Sequence, residues 1–209
     1  MFKKVNLDFK ENKLIYLMVF TFFCVGIVLG TYMIKYMNLS DTTDLSNYFS
    51  SFVKVIVKQP VKTSALFFSI LKKNLILLTI IVAFGLTIFG TPIILIVDLI
   101  KGFTLGYTFS FILTAFSGKG FWLAIAAVLP QNIVYLPCFI ALSIISIEFS
   151  SNKLRSRFFN KGKVNTILER ELILKVGVFL CIFILGALIE TYICPNLIKF
   201  IVTKVYKVV

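Results

Sequence analysis

From Leu14 to Ile34 the chain runs without a single charged residue, and that length constrains the fold more than any other feature. At 1.5 Å per residue, about 20 apolar residues cross a hydrocarbon core of about 30 Å. Similar runs recur to the far end of the sequence. Apolar residues fill 59% of its 209 positions, against roughly 45–50% in soluble chains, and mean hydropathy is +0.97. Lipid is therefore the main solvent, and it forces each spanning segment to satisfy its own backbone hydrogen bonds. The expected fold is one polytopic all-α integral membrane domain of about five transmembrane helices.

The first span is placed at 14–37. It is too long for the 7–15-residue core of a cleavable signal peptide and has no small-residue cleavage site after it, so it is read as retained. Gly26 and Gly30 lie four apart on one of its faces, a spacing that permits close helix packing. Residues 41–73 form an extracytoplasmic amphipathic segment. It opens at Asp41, Thr42, Thr43 and Asp44 and carries Tyr48, Phe49, Phe52 and Ile56 at helical spacing before Pro60. Such a helix either lies in the membrane interface or offers aromatic anchors to a partner protein.

The apolar stretch 74–117 is too long for one span. Dividing it at Asp98 to Lys101 gives spans at 74–97, kinked at Gly90 and Pro92, and at 102–117, with Gly102 and Gly106 at its start; the alternative puts the turn at Gly90 to Pro92. A fourth span covers 121–147. Pro130, Asn132 and Pro137 within it predict a broken or kinked helix whose freed backbone groups and amides are satisfied by neighbouring helices or water. A basic loop at 148–171 precedes a last span at 172–194, which ends at Pro195, and the residues beyond resemble an interfacial tail. Basic density near the span ends puts the N-terminus and the 148–171 loop in the cytoplasm and the C-terminus outside.

The formal charge of +13, from 22 basic and 9 acidic residues, is spread along the chain rather than clustered with stacking aromatics. It fits span ends anchored at lipid headgroups and argues against nucleic acid as a partner. There is no histidine, and Cys24, Cys138, Cys181 and Cys194 stand singly, so neither a zinc site nor any other metal or cofactor is expected. A Ser or Cys nucleophile would have no histidine base. Among ionisable residues near the membrane core, Asp98 and Lys101 are spaced to pair across one helical turn. Glu190 is read either as a buried hydrogen-bonding residue or as a partner contact at the outer end of the last span.

Four elements taken together resemble the stage II sporulation protein M family of endospore-forming bacteria. They are Gly90-Thr91-Pro92, Lys101 to Gly106, Leu129 to Pro137, and Ala187 to Pro195. The resemblance implies a non-enzymatic membrane scaffold in the mother-cell or septal membrane during engulfment of the forespore. There it would recruit and localise peptidoglycan hydrolases, with stage II sporulation proteins D and P as partners alongside membrane lipids. A permease or transporter subunit, using the Gly/Pro-interrupted helices as a substrate path, is the other reading.

Overall fold

The computed structural model describes residues 13–58, 63–115, 120–159 and 166–205; within these, the side chains of 39, 49–50, 52–58, 155, 158–159, 166–174 and 205 fall outside the description. All of the regular structure described is helical. Helix α1 (Lys13–Lys35) is followed by α2 (Leu39–Lys58), α3 (Thr63–Gly85), α4 (Gly90–Ala115) and α5 (Gly120–Phe159). Then α6 (Thr166–Leu188) passes through a π turn, Ile189–Ile193, into α7 (Cys194–Val205). Among the described residues five segments are long and apolar enough to cross a membrane: α1, α3, α4, the Gly120–Leu154 part of α5, and Lys175–Lys204, which joins most of α6 to α7.

The central element is α5. In its spanning window 56% of residues are buried, against 17–28% in the other four, and α1, α3, α4, α6 and α7 all pack on it. The others turn large apolar side chains outward, among them Leu17, Phe20, Leu29, Val178 and Leu185, as a lipid-facing surface requires.

The most extensive pairing is α1 with α4, and both partners supply glycines four residues apart. A Cβ on Gly26 would strike the Leu99 carbonyl, and one on Gly30 the Phe103 carbonyl. From the other side, Gly102 lies against the Phe23 carbonyl and Gly106 against that of Ile27. The backbones touch because neither helix has a side chain there. In lipid, where apolar burial does not drive helices together, such close van der Waals contact supplies much of the association.

The division of the long apolar stretch differs from the expected one. The break falls at residues 86–89, so the second and third spans are 63–85 and 90–115 rather than 74–97 and 102–117. The polar residues that suggested a turn at 98–101 are inside α4, where Asp98 is buried and Gly102 is part of the glycine contact. Pro92 is the third residue of α4, where a missing N–H costs nothing. Carbonyls released at the turn are capped by α5: the Ser150 hydroxyl donates to the Thr87 oxygen at 2.8 Å and Lys153 Nζ to the Leu86 oxygen at 3.0 Å.

Two further expectations change. Helix α5 runs unbroken through Pro130 and Pro137 and on to Phe159, so much of the 148–171 loop is helix. Residues 194–205 form a helix that packs on α5 and α2 with Val202 buried, rather than an interfacial tail. The preceding π turn has a cause in the sequence. Pro195 cannot donate to the carbonyl four residues back and would crowd it. The helix widens instead, with the Cys194 N–H reaching the Ile189 oxygen, while Asn196 Nδ2 donates to the Tyr192 oxygen at 2.8 Å.

Two apolar clusters divide the bundle. One, on the side of the 86–89 turn, centres on Ile81, Ile94, Phe139 and Leu142. The other, on the opposite side, joins Ile34, Ile112, Leu123 and Val202 and takes in Leu45 of α2. Helix α2 thus folds over that second end, where the Ser46 hydroxyl donates to the Ala115 oxygen at 3.4 Å.

Candidate functional site

Between the two clusters lies a polar cavity of about 230 Å³. Helix α3 contributes Lys73 and Asn74, α4 Lys101, α5 Gln131, Asn132 and Tyr135, and the π turn Glu190. Each helix supplies these residues near the middle of its span, so the polar groups meet at bilayer depth. Ionisable residues placed there are costly and mark functional positions. π turns also recur at functional sites, because the extra residue re-aims neighbouring side chains.

The interactions bind the lining together without closing it. Glu190 faces Tyr135, Lys101, Lys73 and Asn74. Lys101 Nζ lies 5.9 Å from the centre of the Tyr135 ring. That ring packs against Phe183 at 5.2 Å and is seated over Gly186, which fixes its hydroxyl toward the cavity. Although its polar neighbours are Glu190 and Asn74, the buried hydroxyl makes no hydrogen bond. Gln131 Oε1 accepts from Cys194 Sγ at 3.1 Å, tying α5 to α7. Asn132 Nδ2 donates to the Val128 oxygen at 2.7 Å within its own helix, rather than across to a neighbour as its depth had suggested.

Beyond the cavity, on the side of the 86–89 turn, the bundle is closed. Phe139, Leu142, Ile81 and Ile94 are fully buried there, and Asp98 lies among them rather than in the cavity. Its Oδ1 accepts from the Ser143 hydroxyl at 2.6 Å, and its Oδ2 has no partner. The expected Asp98–Lys101 pair is therefore replaced: Asp98 turns to α5, and Lys101 turns to Tyr135 and Glu190.

The profile of the family described as stage II sporulation protein M matches residues 19–195. The chain belongs to that family. The matched stretch holds most of α1, all of α2 to α6 and the π turn, and thus every residue of the cavity. Membership of the stage II sporulation protein M family makes this a sporulation-related membrane protein, consistent with five helices able to cross a membrane. No curated protein and no solved structure matches the chain.

The residues singled out from sequence fall into three places. Gly26, Gly30, Gly102 and Gly106 form the α1–α4 contact, Gly90 and Pro92 open α4, Pro130 and Pro137 lie inside the unbroken α5, and Pro195 follows the π turn. Tyr48 is exposed on α2; Phe49, Phe52 and Ile56 lie on the same helix, but their side chains are outside the description. Glu190 faces the cavity. Sequence reasoning missed Lys73, Asn74 and Tyr135 as site residues. Lys73 and Asn74 looked like the polar lead-in to a span that in fact begins at Thr63, and nothing local marks Tyr135 as an unpaired donor.

Proposed function

We propose that this chain is a non-enzymatic membrane scaffold that recruits and localises peptidoglycan hydrolases at the septal and engulfing membrane during endospore formation. Its partners in this reading are stage II sporulation proteins D and P. The observation that carries the reading is α2: a helix with an exposed Tyr48, laid over the bundle end opposite the 86–89 turn. By the distribution of basic residues that end is external, as enzymes acting on the wall require. Aromatic residues concentrate binding energy when a partner buries them. The test is copurification from sporulating cells in mild detergent. Replacing Tyr48, Phe49 and Phe52 with Ser should reduce recovery of proteins D and P while membrane abundance of the chain is unchanged. Undiminished recovery would return α2 to a purely interfacial role.

A second reading, a permease or transporter subunit, draws support from the cavity. An open substrate path would gather polar space around Asn132, Asp98 and Glu190; Asn132 and Glu190 do share a cavity, whereas Asp98 is packed away from it. The closed floor at Phe139 and Leu142 favours a site that holds a ligand over one that passes it through.

A further inference from the structure

Among the described residues two lysines and one carboxylate face the cavity, so with all three ionised they give its wall a net charge of +1, two minus one. An unmatched charge at bilayer depth is unfavourable. Two of the uncharged groups lean the same way. The Tyr135 hydroxyl, on a side chain only 3% exposed, has no hydrogen-bond partner. The Gln131 side-chain oxygen is already occupied by Cys194, which leaves its NH2 group as donor. Against the two lysines, the Tyr135 hydroxyl and the Gln131 amide the described lining sets a single carboxylate, Glu190, and a buried donor left unpaired is penalised until something accepts from it.

The way in is lateral. The fully buried residues of α3 all lie in its second half, at Leu78, Ile81 and Gly85, whereas its first half is at most half-buried and carries the exposed Lys73. Ile70, Leu105, Ala127 and Val128 give the cavity an apolar wall next to the polar groups. A polar headgroup with a chain attached matches that division.

We propose that the cavity is a binding site for a monoanionic phosphate group, held by Lys73, Lys101 and the Tyr135 hydroxyl and supplied either by a phospholipid headgroup entering between α3 and α4 or by inorganic phosphate. Glu190 lowers the affinity by its own negative charge while keeping the empty site close to neutral. Because the floor is closed, the ligand is retained, and it bridges α3, α4 and α5.

The test is thermal unfolding of the full chain in dodecyl maltoside with dioctanoyl phosphatidylglycerol, dioctanoyl phosphatidylcholine or sodium phosphate at matched ionic strength. Phosphatidylglycerol should raise Tm saturably, by about 3–5 °C at roughly tenfold its Kd for a chain of this size, and phosphatidylcholine, whose choline cation offsets its phosphate charge beside a net positive wall, should raise it markedly less. An equal saturable shift from sodium phosphate would assign the site to the free anion. Lys101→Gln and Tyr135→Phe should each weaken binding about tenfold, the worth of one good charge-assisted or buried hydrogen bond. Glu190→Gln should tighten it several-fold. Opposite signs from neutralising a cation and an anion at one site are not produced by a loss of packing, and Glu190→Gln and Tyr135→Phe carry the test if Lys101→Gln fails to fold. Lys175→Gln, at an exposed position of α6 away from the cavity, should leave the affinity unchanged. The proposal is overturned by no saturable shift from either anion, by an equal shift from phosphatidylcholine, or by unchanged affinity in the cavity variants.

Discussion

The Ser143 hydroxyl donates a 2.6 Å hydrogen bond to Oδ1 of Asp98, joining α4 to α5 where both side chains are completely buried. Nothing else in the described structure satisfies that carboxyl group, since Oδ2 stands without a partner. Ser143→Ala should therefore lower stability by about 1–3 kcal/mol, the cost of leaving a buried polar group unpaired. Asp98→Asn, which keeps the acceptor oxygen and removes the possibility of a buried charge, should be tolerated better than Ser143→Ala. Unfolding in detergent, followed by circular dichroism, measures both; a greater loss from Asp98→Asn would show that the ionised carboxylate itself is needed.

The glycine contact between α1 and α4 makes a sharper prediction. Gly26→Leu or Gly102→Val places a side chain against a backbone carbonyl of the partner helix, and backbone cannot step aside as a flexible side chain can. Either substitution should separate the helices and cost more than about 3 kcal/mol, in the range of severe overpacking. Gly177 is the control: a Cβ there meets nothing within 4 Å, so Gly177→Ala should be neutral or stabilise by up to about 1 kcal/mol through helix propensity. Yields of folded monomer by size-exclusion chromatography separate the two classes.

For Asn132, the bond to the Val128 oxygen is intrahelical. Asn132→Leu should cost only about 0.6–1 kcal/mol, typical of a side-chain hydrogen bond in a membrane, and should leave copurification of the hydrolases intact. A loss of partner binding at unchanged thermal stability would give Asn132 a functional role in the cavity instead.

Topology is tested directly by reporters. With five spans, a reporter fused at Ser151 should read cytoplasmic and one after Val209 external. The same compartment for both would remove the five-span arrangement, and reversed compartments would invert the orientation drawn from the basic residues.

The membrane class, the number of spans and the exclusion of histidine-based chemistry were all legible in the sequence, because bilayer thickness and backbone hydrogen bonding act on each segment separately. The first span, from Lys13 to Lys35 in the structure, differed from its expected bounds by only one or two residues for that reason. Gly26 with Gly30, and Gly102 with Gly106, could be flagged by spacing alone, but only the tertiary structure could show that the two pairs face each other. Asp98 and Lys101 misled because a polar residue in an apolar run reads locally as a turn, whereas Ser143 and Glu190, 45 and 89 positions further on, supply their partners. The cavity is the extreme case. Lys73, Lys101, Tyr135 and Glu190 come from four separate elements, and no local pattern encodes their meeting, which packing of the helices around α5 alone decides.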